Sequence, residues 1–468
     1  SNPRQITLTA HKQSTTFFGK LTKTTVINPG ARSQCATPLP RTFEIALVLD
    51  NTGSMSASSG GQSKLQAVQT AATNFVNYVY TSPAFSDQTR IAIVPFAGAV
   101  AIDPSAYRYA TWIDQTGQSG YHWTNVLPPI PSAFTSRFDI FAKLQKANTS
   151  WGWAGCLETL PYPLNVQDGA PTSGNKDSYF VPLFAPDEPG DADPNVAYFP
   201  QRNPTAASYN SYIDDDTSSG SCGIPSTYAQ ALGQPCKYQN PTNPISSSYL
   251  GIPNGPNFGC TTQPLQRLTS STSTLKAVIN KMAPLGSTNI HEGFMWGWRT
   301  LSPNSVFKDD NQAAYAPATN TSNATTINKI IILMTDGTNS WSANGSAPTG
   351  SLYFAAGYFQ NVNTQNAKTK NPNTRLPPTN QNISNATNAR GALDALTKEA
   401  CGKAQAVNIS IYTIGFSIPS DPIDTAGQTL LQNCASSPDQ YFLANTADDL
   451  ISAFQKIQSS IGTLRLTQ

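Results

Sequence analysis

The stretch Phe43-Glu44-Ile45-Ala46-Leu47-Val48-Leu49-Asp50-Asn51-Thr52-Gly53-Ser54-Met55 is an apolar run that ends abruptly in an aspartate. Rich in Ile, Leu and Val, it reads as a strand buried on both faces. Its polar end then lies where open α/β sheets keep their sites, at the carboxyl ends of the strands. Asp50, Thr52 and Ser54 present oxygen only, which suits a hard divalent cation such as Mg²⁺.

The rest of the chain alternates strand and helix around that run. A helix is expected from Lys64 to about Tyr80, with Leu65, Val68, Ala72, Phe75, Val76 and Val79 on one stripe. Arg90 to Phe96 is a second strand, and Ala99 to Ile102 a short neighbour that fits a hairpin partner. Periodicity then fails over about 104–273, where prolines, aromatics and Cys156, Cys222, Cys236 and Cys260 are scattered. A structureless loop of that length does not fit a compact domain. The stretch reads as an inserted module, mostly irregular and held by disulfides. Order returns with helices at 273–282 and 290–301, then an apolar strand from Ile327 to Met334 that runs into Thr335-Asp336-Gly337. Residues 338–388 are Asn/Thr/Pro-rich and read as a second insertion, rooted two residues after Asp336. A helix (390–406), a strand (407–416), a short strand (441–443) and a helix (447–459) complete the pattern. Residues 5–27 look like two edge strands and 28–42 like a linker, and the tail 461–468 reads as a strand free to pair with them.

The fold class is therefore α/β, with a doubly wound, mostly parallel sheet, a large disulfide-held insert and short terminal strands. The main domain comprises 43–103 and 274–460. The first insert roots, on the hairpin reading, near the sheet end opposite Asp50. The second roots at the Asp50 rim itself.

Composition narrows the function. Of 468 residues only 12% are charged and the net charge is +2, so nothing favours electrostatic capture of nucleic acid or of an anionic membrane. Seven cysteines without CxxC spacing point to an oxidising compartment, with one left unpaired. No apolar run is long enough to span a bilayer, and the opening Ser1-Asn2 carries no signal-peptide pattern, so an export signal or anchor is expected ahead of it.

Three loops bear the chemistry: Asp50-x-Thr52-x-Ser54, a lone Thr288 before a helix, and Thr335-Asp336-Gly337 after an apolar strand. In this order they resemble the von Willebrand factor A domain. The resemblance implies a metal-ion-dependent adhesion site formed by Asp50, Thr52, Ser54, Thr288 and Asp336. Thr52 stands where that family usually has Ser; it keeps the hydroxyl and adds a methyl. The ion implied is Mg²⁺, or Ca²⁺ or Mn²⁺, with one position open to a partner carboxylate.

The motifs Asp50-Asn51-Thr52-Gly53-Ser54-Met55 with Lys64-Leu65, Thr288-Asn289-Ile290-His291-Glu292-Gly293, Trp296-Gly297-Trp298-Arg299 and Leu431-Gln432-Asn433-Cys434-Ala435 are similar to those of TadG-like proteins of the Tad (Flp) pilus assembly system. So are Gly155-Cys156-Leu157-Glu158, Pro161-Tyr162-Pro163 and the run from Phe184 to Pro189 in the insert. This implies an exported, periplasmic or cell-surface protein, anchored through a segment outside this chain, that binds a pilus or surface protein.

The other residues carry weaker signals. Cys401 and Cys434 sit in successive helices and fit a bridge worth roughly 3–4 kcal/mol by loop entropy. The four insert cysteines allow three connectivities; Cys156–Cys260 as a clasp and Cys222–Cys236 as a local loop are favoured, leaving Cys35. Asp187-Glu188, Asp191, Asp193 and Asp214-Asp215-Asp216 are acidic loops that also suit Ca²⁺. Trp151, Trp153, Trp296 and Trp298 allow a second reading, a glycan-binding adhesin using the aromatics of the insert. His11, His122 and His291 share no metal-ligand spacing, and His291 reads as a helix-terminus residue. With no GxSxG, HExxH or P-loop and no evident general base, no enzyme is expected.

Overall fold

In the computed structural model the described residues are 5–15, 26–27, 30–36, 42–59, 61–189, 210–213, 227–241, 246–315, 327–345, 347–362 and 372–463. The apolar run of the opening motif becomes β1 (Thr42–Asp50), the strand around which a six-stranded sheet is laid. β2 (Arg90–Phe96) lies on one side of it, followed by the edge strand β3 (Gln266–Thr269). β4 (Ile327–Thr335), β5 (Ile409–Phe416) and β6 (Tyr441–Ala444) follow on the other. Every pair is parallel except β2 with β3.

Side chains alternate across β1. Ile45, Leu47 and Leu49 face a layer made by α1 (Lys64–Thr81), α2 (Thr272–Lys281) and α6 (Ala447–Thr463). Ala46 and Val48 face α3 (Ile290–Leu301), α4 (Ala386–Ala406) and α5 (Thr425–Cys434). α1 starts where it does because Ser63 and Gln66 form a reciprocal capping box. α3 is buried along its whole length, because the sheet lies on one side and the first insert on the other. Gly293 and Gly297 permit the close approach: a Cβ at either would stand 2.5 Å from Phe96 or Val48. On the outer side Trp296 meets Trp112, Phe180 and Phe307 of the surrounding chain.

Several sequence expectations are corrected. Ala99–Ile102 is not a hairpin strand; Ala101 makes only isolated bridges, to Cys156 and Pro264. The antiparallel neighbour of β2 is β3, at the far end of the insert. Because α1 returns the chain to the amino end of the sheet, β2 runs parallel to β1, and Asp50 pairs with Phe96. The first insert therefore leaves at the Asp50 rim, not at the opposite end. Nor is it a separate module: Phe138, Phe141, Trp153 and Phe184 share one apolar cluster with Ala46 and Val48. Its ordered parts include a helix over Arg137–Ala147 and the disulfide Cys156–Cys260.

At the front, Gln5–His11 pairs antiparallel with Gly30–Ala36, so the expected linker contains a strand. At the back, α6 continues to Thr463 because Phe454, Ile457 and Ile461 keep its helical stripe, so residues 461–463 are not the start of a strand. Residues 464–468 lie outside the described residues. Among the described residues no helix is long and apolar enough to cross a membrane.

Candidate metal centre

β1 and β4 are adjacent, and the chain turns away from them in opposite directions, to β2 on one side and β5 on the other. A crevice opens at the carboxyl ends of such a strand pair. Asp50 is the last residue of β1 and Asp336 the first after β4. The loop that carries Thr288 is stitched to the Asp50 loop by backbone bonds: Gly53 N donates to Gly286 O (2.9 Å) and Leu285 N to Asn51 O (3.0 Å). Asn51 Nδ2 adds a bond to Ala283 O (2.9 Å). Thr288 is in turn bridged to Ser340 by two backbone bonds of 3.2 and 2.8 Å. The start of the second insert is thus tied to the loop carrying Thr288.

Three of the candidate side chains, Thr52, Ser54 and Asp336, meet oxygen to oxygen. Asp50 Oδ1 accepts from Thr52 N (2.8 Å) and Oδ2 from Thr335 Oγ1 (2.6 Å), which fixes the carboxylate in the interior. Ser54 Oγ donates to Asp336 Oδ1 at 2.8 Å and lies 3.0 Å from Thr52 Oγ1. Ser54, Thr288 and Asp336 line one cavity of about 460 Å³. The donor set fits a hard cation. An octahedron with metal–oxygen distances of about 2.0–2.1 Å has edges of roughly 2.9 Å, close to these spacings. Two pairs, Thr52 with Ser54 and Ser54 with Asp336, are held at about that spacing. Among the described residues no group of three or more His, Cys, Asp or Glu is placed to hold a metal. This set is of another kind, two carboxylates with three hydroxyls.

Charge at the rim is unbalanced. Asp50 is pushed up to about 7, first by burial and then by the charge of Asp336. Burial also raises Asp336, against the pull of Lys64. Lys64 is fully buried; its Nζ donates to Asp336 Oδ2 (2.8 Å) and to Asp421 Oδ2 (2.7 Å). Three residues of this centre thus went unassigned in the sequence: Thr335, Lys64 and Asp421. Thr335 had a signal, a hydroxyl beside the aspartate at a strand end. Lys64 stood only within a resemblance. Asp421 comes from the loop after β5, with no motif around it.

The other candidates are placed as follows. Cys401 and Cys434 form a disulfide between α4 and α5. Cys236 is disulfide-bonded; Cys222 lies outside the described residues. Asp187 and Glu188, read as acids that also suit Ca²⁺, are buried structural acceptors: Asp187 takes Lys237 and the Tyr212 and Ile213 amides, Glu188 takes Tyr358 Oη and Asn210 N. Asp191, Asp193 and Asp214–Asp216 lie outside the described residues. Trp151, Trp153, Trp296 and Trp298 are all buried, so these four present no stacking platform for a sugar. His291 is buried in the first turn of α3, with Nε2 at 2.9 Å from Asn165 O. Glu158 holds Arg137, Arg375 and Tyr353, joining the first insert to the second.

No family model and no curated protein matches the chain. Among solved structures it is similar to the pilus adhesin SpaC from Lactobacillus rhamnosus GG (12% identity, TM-score 0.38), covering 94% of this chain and 33% of that one. The chain thus spans a third of that protein's length. It is also similar to the vWF domain of the type V pili tip protein Mfa5 from Porphyromonas gingivalis (11%, TM-score 0.37, covering 92% and 98%). A third is the adhesive tip pilin GBS104 from Group B Streptococcus agalactiae (12%, TM-score 0.39, covering 90% and 100%). At these scores all three are distant likenesses.

Proposed function

We propose that this chain is a doubly wound von Willebrand A-type domain that binds a divalent cation, Mg²⁺ first among them, at its sheet rim. Through the ion it binds a carboxylate of a protein partner. The residues that would hold the ion are Asp50, Thr52, Ser54, Thr288 and Asp336. The observation that carries the reading is how the rim carboxylates are held: the buried Asp50 accepts from the neutral donors Thr52 N and Thr335 Oγ1, and Asp336 shares one ammonium, Lys64, with the partly exposed Asp421. Buried carboxylates are held by cations, hydrogen bonds or metals. When bound, the ion supplies an electrophilic docking point. Thr335 holds Asp50 in place, Ser54 turns Asp336 inward, and Lys64 takes the oxygen of Asp336 that points away.

The TadG-like motifs make the setting an exported adhesion or pilus-associated one, with a pilus or surface protein as partner. Titration calorimetry with Mg²⁺ and Mn²⁺ tests the metal. One saturable site is expected, lost in Asp336→Ala; no saturable binding at millimolar ion overturns the reading. Capture of pilus and surface components with and without Mg²⁺ then tests the partner. Capture that persists in chelator and in Asp336→Ala rejects metal-dependent adhesion.

A further inference from the structure

At the rim of the candidate metal centre stands a small hairpin from the first insert. Ser248–Tyr249 pairs antiparallel with Ile252–Pro253, and Tyr249 faces Ile252. That register leaves Leu250 and Gly251 as a two-residue turn, with φ of +51° and +76°. Positive φ at both central positions is the type I′ pattern, which favours Asn-Gly or Gly-Gly. Gly251 fits. Leu250 does not: a γ-branched side chain in the left-handed region is strained, and Asn would relieve it.

Burial does not repay this strain. Leu250 is 65% exposed, one of few large apolar side chains so open among the described residues. The fold gains neither backbone ease nor a buried side chain from leucine at this position. An outlier of this kind at a rim points to a task outside the fold. Its place gives the task. Leu250 lines the same cavity as Ser54, Thr288 and Asp336, and Ile252, Leu285 and Leu352 continue the apolar wall beneath it. Gly251 sits over Leu285, whose Cδ1 lies 3.6 Å from where a Cβ would stand. The lining also includes Asp421 and Asp424, which pair with Lys64 and Arg390. A cavity of about 460 Å³ admits a carboxylate side chain and a neighbouring residue, but no folded element.

We propose that Leu250 is a specificity-determining residue, and that the partner presents an acidic side chain with an aliphatic or aromatic residue beside it. The acid completes the shell of the cation, and its apolar neighbour seats on the Leu250–Ile252–Leu285 wall. The proposal rests on the metal-dependent reading above.

The test is selection of phage-displayed random linear heptapeptides on the whole chain in Mg²⁺, with elution by chelator. Wild type is expected to enrich Asp or Glu with Leu, Ile, Val or Phe within two positions, the apolar preference being about ten-fold or more. Leu250→Asn should keep the acidic enrichment, lose the apolar preference, and melt at the same temperature or higher. A residue that served only the fold would not give that last result. Leu250→Gly is the second variant and should behave alike. Acidic enrichment without an apolar neighbour in wild type, or an unchanged apolar preference in both variants, overturns the role of Leu250 and leaves the metal reading standing. No chelator-eluted enrichment in wild type overturns both, and Asp336→Ala should show that blank result.

Discussion

The two ends of β1 bury charge in opposite ways. Near its amino end Glu44 is fully buried between in-register neighbours, Arg90 on β2 (2.5 Å) and Lys329 on β4 (2.8 Å), and also accepts from Tyr315 N. One carboxylate there meets two cations. At the carboxyl end two carboxylates, Asp336 and the partly exposed Asp421, share one ammonium, and Asp50 is held by the neutral donors Thr52 N and Thr335 Oγ1. A third buried cluster, Glu158 with Arg137 and Arg375, follows the first pattern. The strand is the same, and Glu44, Asp50 and Asp336 are all buried, so burial alone does not explain the difference. The closed clusters hold the fold together; the rim is short of positive charge where three loops aim oxygens into one cavity.

The comparison can be broken or sharpened by substitution. Glu44→Ala should cost about 3 kcal/mol, since it leaves two half-buried cations without a counter-charge, and should leave Mg²⁺ affinity unchanged. Urea unfolding and calorimetry check both halves; a loss of metal binding with an intact fold would break the contrast between the ends. Asp336→Ala should weaken Mg²⁺ and Mn²⁺ by at least about 100-fold, beyond what outer-shell groups usually give. Calorimetry on the folded variant measures it.

Lys64→Met sharpens the count at the rim. Removing the competing ammonium should lower the stability of the metal-free protein and tighten Mg²⁺ by about ten-fold. Weaker binding in this variant would show that Lys64 organises Asp336 rather than competing for it.

Glu188 supplies a case held by neutral donors, since its oxygens accept from Tyr358 Oη and Asn210 N. Burial pushes its pKa up to about 7 from 4.5. The folded state therefore binds the proton more tightly than the unfolded state. The stability this gives is full below pH 4.5 and is lost as pH rises through 7. From pH 6 to 7 the loss should be about 1 kcal/mol, and Glu188→Gln should flatten that part of the profile in thermal melts.

The sheet was legible in the sequence because its strands are long, apolar and separated by amphipathic helices, a pattern that burial on both faces imposes on any chain. Asp50, Thr52, Ser54 and Asp336 stood out as candidates because they follow directly on such strands, and Thr288 because it stands just before a helix. The edge strand Gln266–Thr269 was not, since four residues with Arg267 among them carry no periodic signal. The root of the first insert was missed for a related reason: Ala99–Ile102 looks like a strand by composition, and only packing denies it a ladder.

What the sequence by itself determined is local: strands by their apolar runs, the capped start of α1, and oxygen donors at strand ends. Tertiary structure alone decided which charges meet. Lys64 reaches Asp336 and Asp421 across sequence separations of 272 and 357 residues. Leu250 comes to the cavity of Ser54, Thr288 and Asp336 from an irregular insert. Contacts of that range leave no periodic trace in a sequence, because they depend on where the sheet brings loop ends together and not on the residues beside them.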